Sequence, residues 1–551
     1  LGRFSLDNME VISLYNGQKS AIFQPAKDYS SASAIYMQTR KPLFKGEKKN
    51  NLNIGVKGGS FSTINPSLLW EHRFNERISS SISTEYMYTS GRYKFTYAKK
   101  DGYDTTAVRQ NGDVRMLRLE NAFFGKVPKG EWKAKAYLYN SERGYPGAAV
   151  REEPGKFRHQ DRQWDTNLFV QGSFQNYFKP WYSLLANGKY AYDYLHYLSD
   201  PRLDVTTMYV DNHYRQQEIY ASAAHLFTIY PWWRMSLSND FQWNALRADL
   251  IDFVYPTRNT ILTSAATSFD FNRLMLQASL LYTHVDDNTR TKGANAGTKN
   301  KYTPSVIATW QPLTKLPLNV RAFYKKVFRM PTLNDLYYTF IGNKDLKPEY
   351  TTQYDVGITF SHTWNNHWLK SLDLQIDGYY NEVDDKIIAM PTSNQFRWTM
   401  INLGHVEIRG LDAAIRGEWG FGKVELSTLF NYTYQKAQDF TDPTSEWYGG
   451  QIPYIPWHGG SIILNGSYQT WSCNYSFIYT GERYEAVANI PENYAQPWYT
   501  HDFSLSKTFQ WGKTGIRVTA EINNIFNQQY EVVQCYPMPG TSFKIKLNVM
   551  L

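Results

Sequence analysis

Side-chain character changes at every step from Thr541 to Leu551: Phe543, Ile545, Leu547, Val549 and Leu551 alternate with Ser542, Lys544, Lys546, Asn548 and Met550. Successive side chains of a β-strand point to opposite faces. The segment therefore reads as a strand with one apolar face and one wet face that carries two lysines. A half-buried sheet suits such a strand, and so does a barrel wall with hydrocarbon outside and water inside.

The same period recurs along the chain. Trp132, Ala134, Ala136 and Leu138 alternate with Lys133, Lys135, Tyr137 and Tyr139. Leu318, Val320 and Ala322 alternate with Asn319, Arg321 and Phe323, and Ile516, Val518, Ala520 and Ile522 with Arg517, Thr519, Glu521 and Asn523. Wound into helices, these segments would spread charge around the circumference and leave no apolar stripe.

Aromatic residues make up 16% of the chain, with 43 Tyr and 17 Trp, yet the mean hydropathy is -0.53. No stretch approaches the run of about 18 apolar residues that a spanning helix requires. A transmembrane barrel reconciles aromatic richness with average polarity, because only alternate residues meet lipid while Tyr and Trp gather at both interfaces. The net charge of +9 is interspersed and brings no basic stripe or nucleic-acid motif, so no nucleic-acid partner is expected. A β-propeller would repeat itself about every 40 to 50 residues, and no such repeat is present.

Short breaks fall at Asn75 to Arg77, Pro128 to Glu131, Lys179 to Trp181, Trp232 to Trp233, Leu316 to Pro317, Thr470 to Ser472 and Lys513 to Gly515. Longer ones fall at Lys100 to Asp113, Ala148 to Gln160, Thr291 to Asn300, Thr339 to Tyr350, Met390 to His405 and Thr441 to Trp457. Short turns on one rim and long loops on the other are the asymmetry of an outer-membrane barrel. The spacing predicts about 22 antiparallel strands in an all-β fold. It also puts Cys473 beside the short-turn rim and Cys535 at an outer loop tip, too far apart for a disulfide. Ile78 to Tyr97 reads as one long strand.

Residues 1–42 differ in texture and read as the C-terminal part of a separate small domain, with the barrel occupying 43–551. No leader peptide precedes Leu1, so a processed or partial chain is expected.

Several blocks carry a family likeness. Phe328, Arg329, Met330 and Pro331 are followed by Asn334, Asp335, Leu336 and Tyr337, then by Gly342, Asn343, Lys344, Asp345, Leu346, Lys347, Pro348 and Glu349. Tyr479 to Tyr484, Asn523 to Asn527 and Pro537 to Gly540 form later blocks. Near the start stand Met9, Glu10, Val11, Gly17, Ser20, Ile35, Met37, Thr39 and Arg40. With these the chain resembles the TonB-dependent outer-membrane receptors over nearly its whole length. It departs from their pattern at Gln18, Ala32 and Ser33, where a proline and paired glycines are usual, and at Leu551, where an aromatic terminus is usual.

The resemblance implies a 22-stranded transmembrane β-barrel with the remnant of an N-terminal plug domain, in the outer membrane of a Gram-negative bacterium. It implies active transport of a scarce metal chelate: cobalamin first, a ferric siderophore close behind, with haem or passive porin function as alternatives. A haem receptor often places a histidine within the central block, and Thr332 to Gly342 contains none. The implied partners are a TonB-type energy-transducing complex, whose binding box would lie upstream of Leu1, outer-membrane lipid and lipopolysaccharide, the chelate itself, and a surface lipoprotein as a further candidate. With most of the plug outside the chain, the lumen is expected to be open to water.

Large rigid side chains with hydrogen-bonding tips suit ligand capture on the outer loops. The candidates are Tyr103, Arg109, Arg158, His159, Tyr209, His213, Tyr255, Tyr338, Phe340, Trp398, Trp447, Tyr448, Tyr454, Tyr484 and Tyr494. His159 and His213 read as isolated, solvated loop histidines, and no resident metal or cofactor is expected. Asp286 and Asp287 lack the glycine and glutamate spacing of a calcium loop. No Gly-x-Ser-x-Gly, His-Glu-x-x-His, Cys-x-x-Cys or Walker pattern occurs, so no enzyme is expected.

Overall fold

The computed structural model describes residues 3–17, 19–98, 104–149, 160–200, 209–291, 296–338, 341–365, 367–391 and 398–551. Among them, 22 antiparallel strands close into a single barrel. Each strand pairs with its neighbours in sequence, and the seam is made by the first barrel strand, Asn50–Gly59, against the last, Ser542–Met550. Closure leaves neither the first nor the last barrel strand with a free edge, which hydrocarbon would not tolerate.

The alternation sorts as expected. Phe543 and Ile545 are 58% and 62% exposed on the outside, where lipid would cover them, whereas Lys546 points inward to Asp7. Tyr137 and Tyr139 are buried in the interior, and Arg321 lies between the carboxylates of Asp355 and Asp377.

Two-residue turns dominate one rim. Asn272, Gly422, Gln469 and Gly512 each open such a turn with positive φ, a backbone region that Gly and Asn tolerate best and that tight hairpins demand. Rings crowd this rim: Trp232 stacks between Tyr230 and Phe271, Trp368 lies on Trp419, and the Lys507 ammonium sits 4.2 Å above the Trp471 ring. This is the aromatic girdle of a membrane interface, with a lysine reaching toward water.

The opposite rim differs from the sequence reading in two places. Ile78–Thr89 ends at a break, and Tyr93–Ala98 pairs instead with Asp104–Arg109 as a separate hairpin. The cause is Gly91, at φ +58 and packed so closely on Gly112 that any Cβ would overlap its carbonyl. The expected loop from Met390 to His405 is largely strand, because Leu369–Pro391 and Trp398–Phe421 stay paired up to Pro391 and Trp398. Cys473 lies near the short-turn rim and Cys535 among the outer loops, neither in a disulfide, but Cys535 is buried rather than displayed at a tip.

Residues 3–17 and 19–40 run inside the barrel. Met9–Asn16 and Ser33–Thr39 pair with each other and with no wall strand. One end touches the wall through Asp7 with Lys546 and Asn8 with Glu120; farther on, the backbone N–H groups of Ala26 and Lys27 donate to Asp240. Ile22, Ala26 and Tyr29 pack on Leu262, Ala266 and Leu281. Buried Lys325 donates to the carbonyl oxygens of Gly17 at 3.3 Å and Ser31 at 2.7 Å. The segment leaves past Glu71 and Glu131, paired with Arg40 and Lys41.

Candidate functional site at the outer mouth

Pro331 ends the strand Leu318–Arg329, and the chain turns inward into a short helix, Leu333–Tyr337. Thr332 caps it by accepting from the Asp335 N–H, while the Asp335 carboxylate accepts from the Thr332 N–H, which satisfies two otherwise orphaned donors. Leu333, Leu336 and Tyr337 then pack with Tyr214, Leu246, Ala248, Val254, Leu346 and Ile387. Tyr338 stacks on Tyr214 with centroids 4.3 Å apart, and burial pushes the Tyr338 hydroxyl above its ordinary pKa.

Charge locks the fold of this loop. Arg258 forks onto Asp287 at 2.6 and 2.7 Å and donates a third hydrogen bond to the Pro331 carbonyl. Asn402 accepts from the Lys347 N–H and donates to the Lys347 carbonyl. The block from Phe328 to Glu349 is thus an anchor that folds one outer connection into the mouth, with Tyr338 as its inward ring.

A second group of rings comes from three separate connections. Trp398 lies 6.2 Å from Tyr454, whose backbone N–H donates to the Tyr484 carbonyl; the Tyr484 ring in turn meets Trp457 and Tyr494, each at 6.2 Å. Tyr494 donates to Glu482 at 2.9 Å. The buried indole N–H groups of Trp457 and Trp498 have no acceptor among the described residues. Trp447 and Tyr448 stand exposed at the rim of this group, Tyr448 edge-on to Phe440.

The remaining expected residues lie elsewhere. Arg109 is buried, donates to the Gly147 carbonyl and faces the Tyr536 ring at 5.8 Å; desolvation lowers its pKa. It holds loops together, and its buried Nε has no acceptor among the described residues. Tyr255 sits at φ +48 beneath the Arg290 guanidinium, 4.2 Å away. Tyr103, Arg158, His159 and Phe340 lie outside the described residues.

His213 is on a strand, Val210–Tyr230, and not on a loop. Tyr220 of the same strand faces the lumen under Lys27, and the register is unbroken between them, so alternation turns His213 to the outside. Tyr209 precedes this strand and donates to Asp211 at 3.3 Å. Sequence reasoning also passed over Tyr214 and Arg483. Buried Arg483 donates to the carbonyl oxygens of Gln496, Glu531 and Val532, and ties two outer loops together.

Residues 65–525 match the family model described as TonB dependent receptor-like, beta-barrel. The chain is similar to a vitamin B12 transporter BtuB of Photobacterium profundum, 28% identical over 244 residues that cover 43% of this chain and 36% of the relative. A second vitamin B12 transporter BtuB, of Vibrio vulnificus, is 31% identical over 207 residues, covering 37% of this chain and 29% of its own. The matched regions thus span about a third of each relative's length. In fold the chain is similar to the ferric citrate transporter FecA in its unliganded form, with a TM-score of 0.75 at 12% identity, covering 100% of this chain and 85% of that one. A closed 22-stranded barrel matched by the family model over most of its length belongs to the TonB-dependent receptor-like β-barrel family of Gram-negative outer-membrane proteins.

Proposed function

We infer that this chain is the barrel and plug tail of a TonB-dependent active transporter that captures a metal chelate at its outer mouth and passes it to the periplasm. Cobalamin is the first choice of ligand and a ferric siderophore the second. The observation that carries the reading is the N-terminal segment threaded through the closed wall and held there by side-chain contacts such as Lys325 to Gly17 and Ser31. A segment seated in the lumen by a few side-chain contacts suits a gate, which must be both seated and releasable.

Partial similarity to two vitamin B12 transporters supports cobalamin. So does the mouth itself, where Tyr338 on one side and Trp398, Tyr454, Tyr484 and Tyr494 on the other offer flat apolar faces to a bulky macrocycle. An energised periplasmic partner would act on the plug, of which residues 1–42 would be the tail. Titrating the detergent-solubilised protein with cyanocobalamin, ferric chelates and haemin tests the ligand: saturable micromolar binding of cyanocobalamin supports the first choice, and binding of a ferric chelate alone replaces it with the second. Reconstitution into liposomes tests the gate, since steady porin-like conductance would remove the transporter reading.

A further inference from the structure

We propose that the outer surface of the barrel, at its extracellular end, carries a binding site for a divalent transition-metal ion of the Zn2+ class, built from His196, His213 and Asp211. The site is distinct from the mouth, because its residues project away from the lumen.

The placement follows from register. His196 and His213 are directly paired across the strands Tyr182–Ser199 and Val210–Tyr230, and Asp211 is two residues from His213 on the same face. Paired residues and their second neighbours on one sheet face come within side-chain reach. Tyr190, Tyr192 and Tyr194 precede His196 on that face, a run of amphipathic rings suited to the lipid interface. The cluster therefore lies just beyond the hydrocarbon, open to water.

The geometry is nearly that of a ligand set. Both Nε2 atoms approach the same carboxylate oxygen: His196 at 2.7 Å from Asp211 Oδ1 and His213 at 3.5 Å. One ligand atom from each of the three residues lies within 4.8 Å of the other two. Zinc bonds of about 2.0–2.1 Å in a tetrahedron separate ligand atoms by roughly 3.3 Å, so modest ring rotations suffice. Asp249 Oδ2, 3.8 Å from His213 Nε2, is placed to serve as a fourth ligand.

Hydrogen bonding alone leaves this group poorly served. Asp211 Oδ1 takes one good hydrogen bond from His196, and His213 Nε2 has no partner closer than 3.5 Å among the described residues. The two rings are stacked with centroids 4.0 Å apart, so a cation at their Nε2 edges, beside the carboxylate, would engage all three. The supports are also present. Tyr194 hydroxyl lies 2.7 Å from His213 Nδ1, where its oxygen can accept a hydrogen bond from Nδ1–H and so favour the tautomer whose Nε2 is free for a metal, and the His196 ring is stacked on Trp164 at 4.5 Å. Metal-bound histidines are usually held by such a partner on the other nitrogen.

Equilibrium dialysis of the purified barrel in detergent against Co2+ and Zn2+, with absorption spectroscopy of the Co2+ form, tests the proposal. One ion per chain with a tetrahedral-type spectrum is expected, and at least a tenfold loss of affinity in each of His196→Ala, His213→Ala and Asp211→Asn. His405→Ala, elsewhere on the barrel, should bind as the parent does. Failure of the parent to bind at micromolar metal, or equal binding by the three variants, overturns the proposal. A folding-independent readout is diethyl pyrocarbonate modification of the parent mapped by mass spectrometry: Zn2+ should protect His196 and His213, and unchanged labelling of both also overturns it.

Discussion

The Lys546 ammonium, on the last strand of the barrel, donates to both carboxylate oxygens of Asp7, at 2.9 and 2.7 Å. This contact joins the two ends of the described chain across the lumen. It is one of several wall contacts, and the deeper hold is at Lys325.

Lys325→Met should loosen the N-terminal segment while leaving the barrel intact. Hydrogen bonds from a charged donor contribute about 1.5–3 kcal/mol each, and the buried ammonium makes two to backbone carbonyls that would be left unpaired. Hydrogen exchange across residues 9–39 should accelerate at least tenfold, and liposome conductance should rise. Unchanged exchange in a folded variant would show that the clamp is elsewhere.

Gly17 supplies a second, purely steric handle. It sits at φ +84 with the Phe323 ring 2.7 Å from where a Cβ would be. Gly17→Ala should therefore combine backbone strain with a clash and weaken docking by about 1–3 kcal/mol. Limited proteolysis of the segment would report it, and an additional Phe323→Ala should recover part of the loss.

Replacing Arg258 with lysine keeps the charge and loses the fork. The guanidinium serves Asp287 twice and the Pro331 carbonyl once, and an ammonium cannot reproduce that planar arrangement. The hydrogen bonds that the ammonium cannot remake contribute about 1.5–3 kcal/mol each. The expected outcome is faster exchange confined to residues 330–348, with the heat-modifiable gel shift of the barrel preserved.

The pH dependence of docking follows from Asp28, in the lumenal segment. Desolvation raises its pKa from the ordinary 3.8, partly offset by Tyr36, Lys19, Lys27 and Lys325. The docked state thus favours the protonated acid. Its contribution is fully present below the ordinary carboxylate pKa and is lost as pH rises through the raised value. Protection factors of residues 9–39, which divide out the intrinsic slowing of exchange in acid, should therefore rise as pH falls through the raised value, and Asp28→Asn should flatten the profile; falling protection in acid contradicts the assignment.

At the mouth, Trp398→Ala and Tyr484→Ala should each weaken chelate binding about five- to tenfold, the cost of losing a ring contact of about 1–1.4 kcal/mol. Isothermal titration with cyanocobalamin measures it. Liposome conductance should not change, because neither residue touches the lumenal segment.

Most of the wall was readable because lipid and water impose a two-residue period on every strand, as in Thr541 to Leu551. Strand ends were not. Gly91 breaks the run from Ile78 through a backbone contact with Gly112 that alternation cannot display, and the residues from Trp398 to His405 look like a loop although they stay paired with the strand that ends at Pro391. His213 was recognised as a candidate but misplaced, since its face follows only from the register with His196. Arg109 and Arg483 were illegible for a third reason: their acceptors belong to loops remote in sequence, and nothing local distinguishes a guanidinium that knits loops from one that waits for a ligand.

The seam between Asn50–Gly59 and Ser542–Met550 makes assembly an all-or-none event. A nascent polypeptide cannot satisfy its earliest spanning segment until the final one has been synthesised and delivered, so every premature stop before Ser542 yields a product with two raw borders. Such a product has no stable place in the bilayer, because hydrocarbon offers its unpaired backbone groups no partner, so the closing strand decides whether the cylinder exists at all.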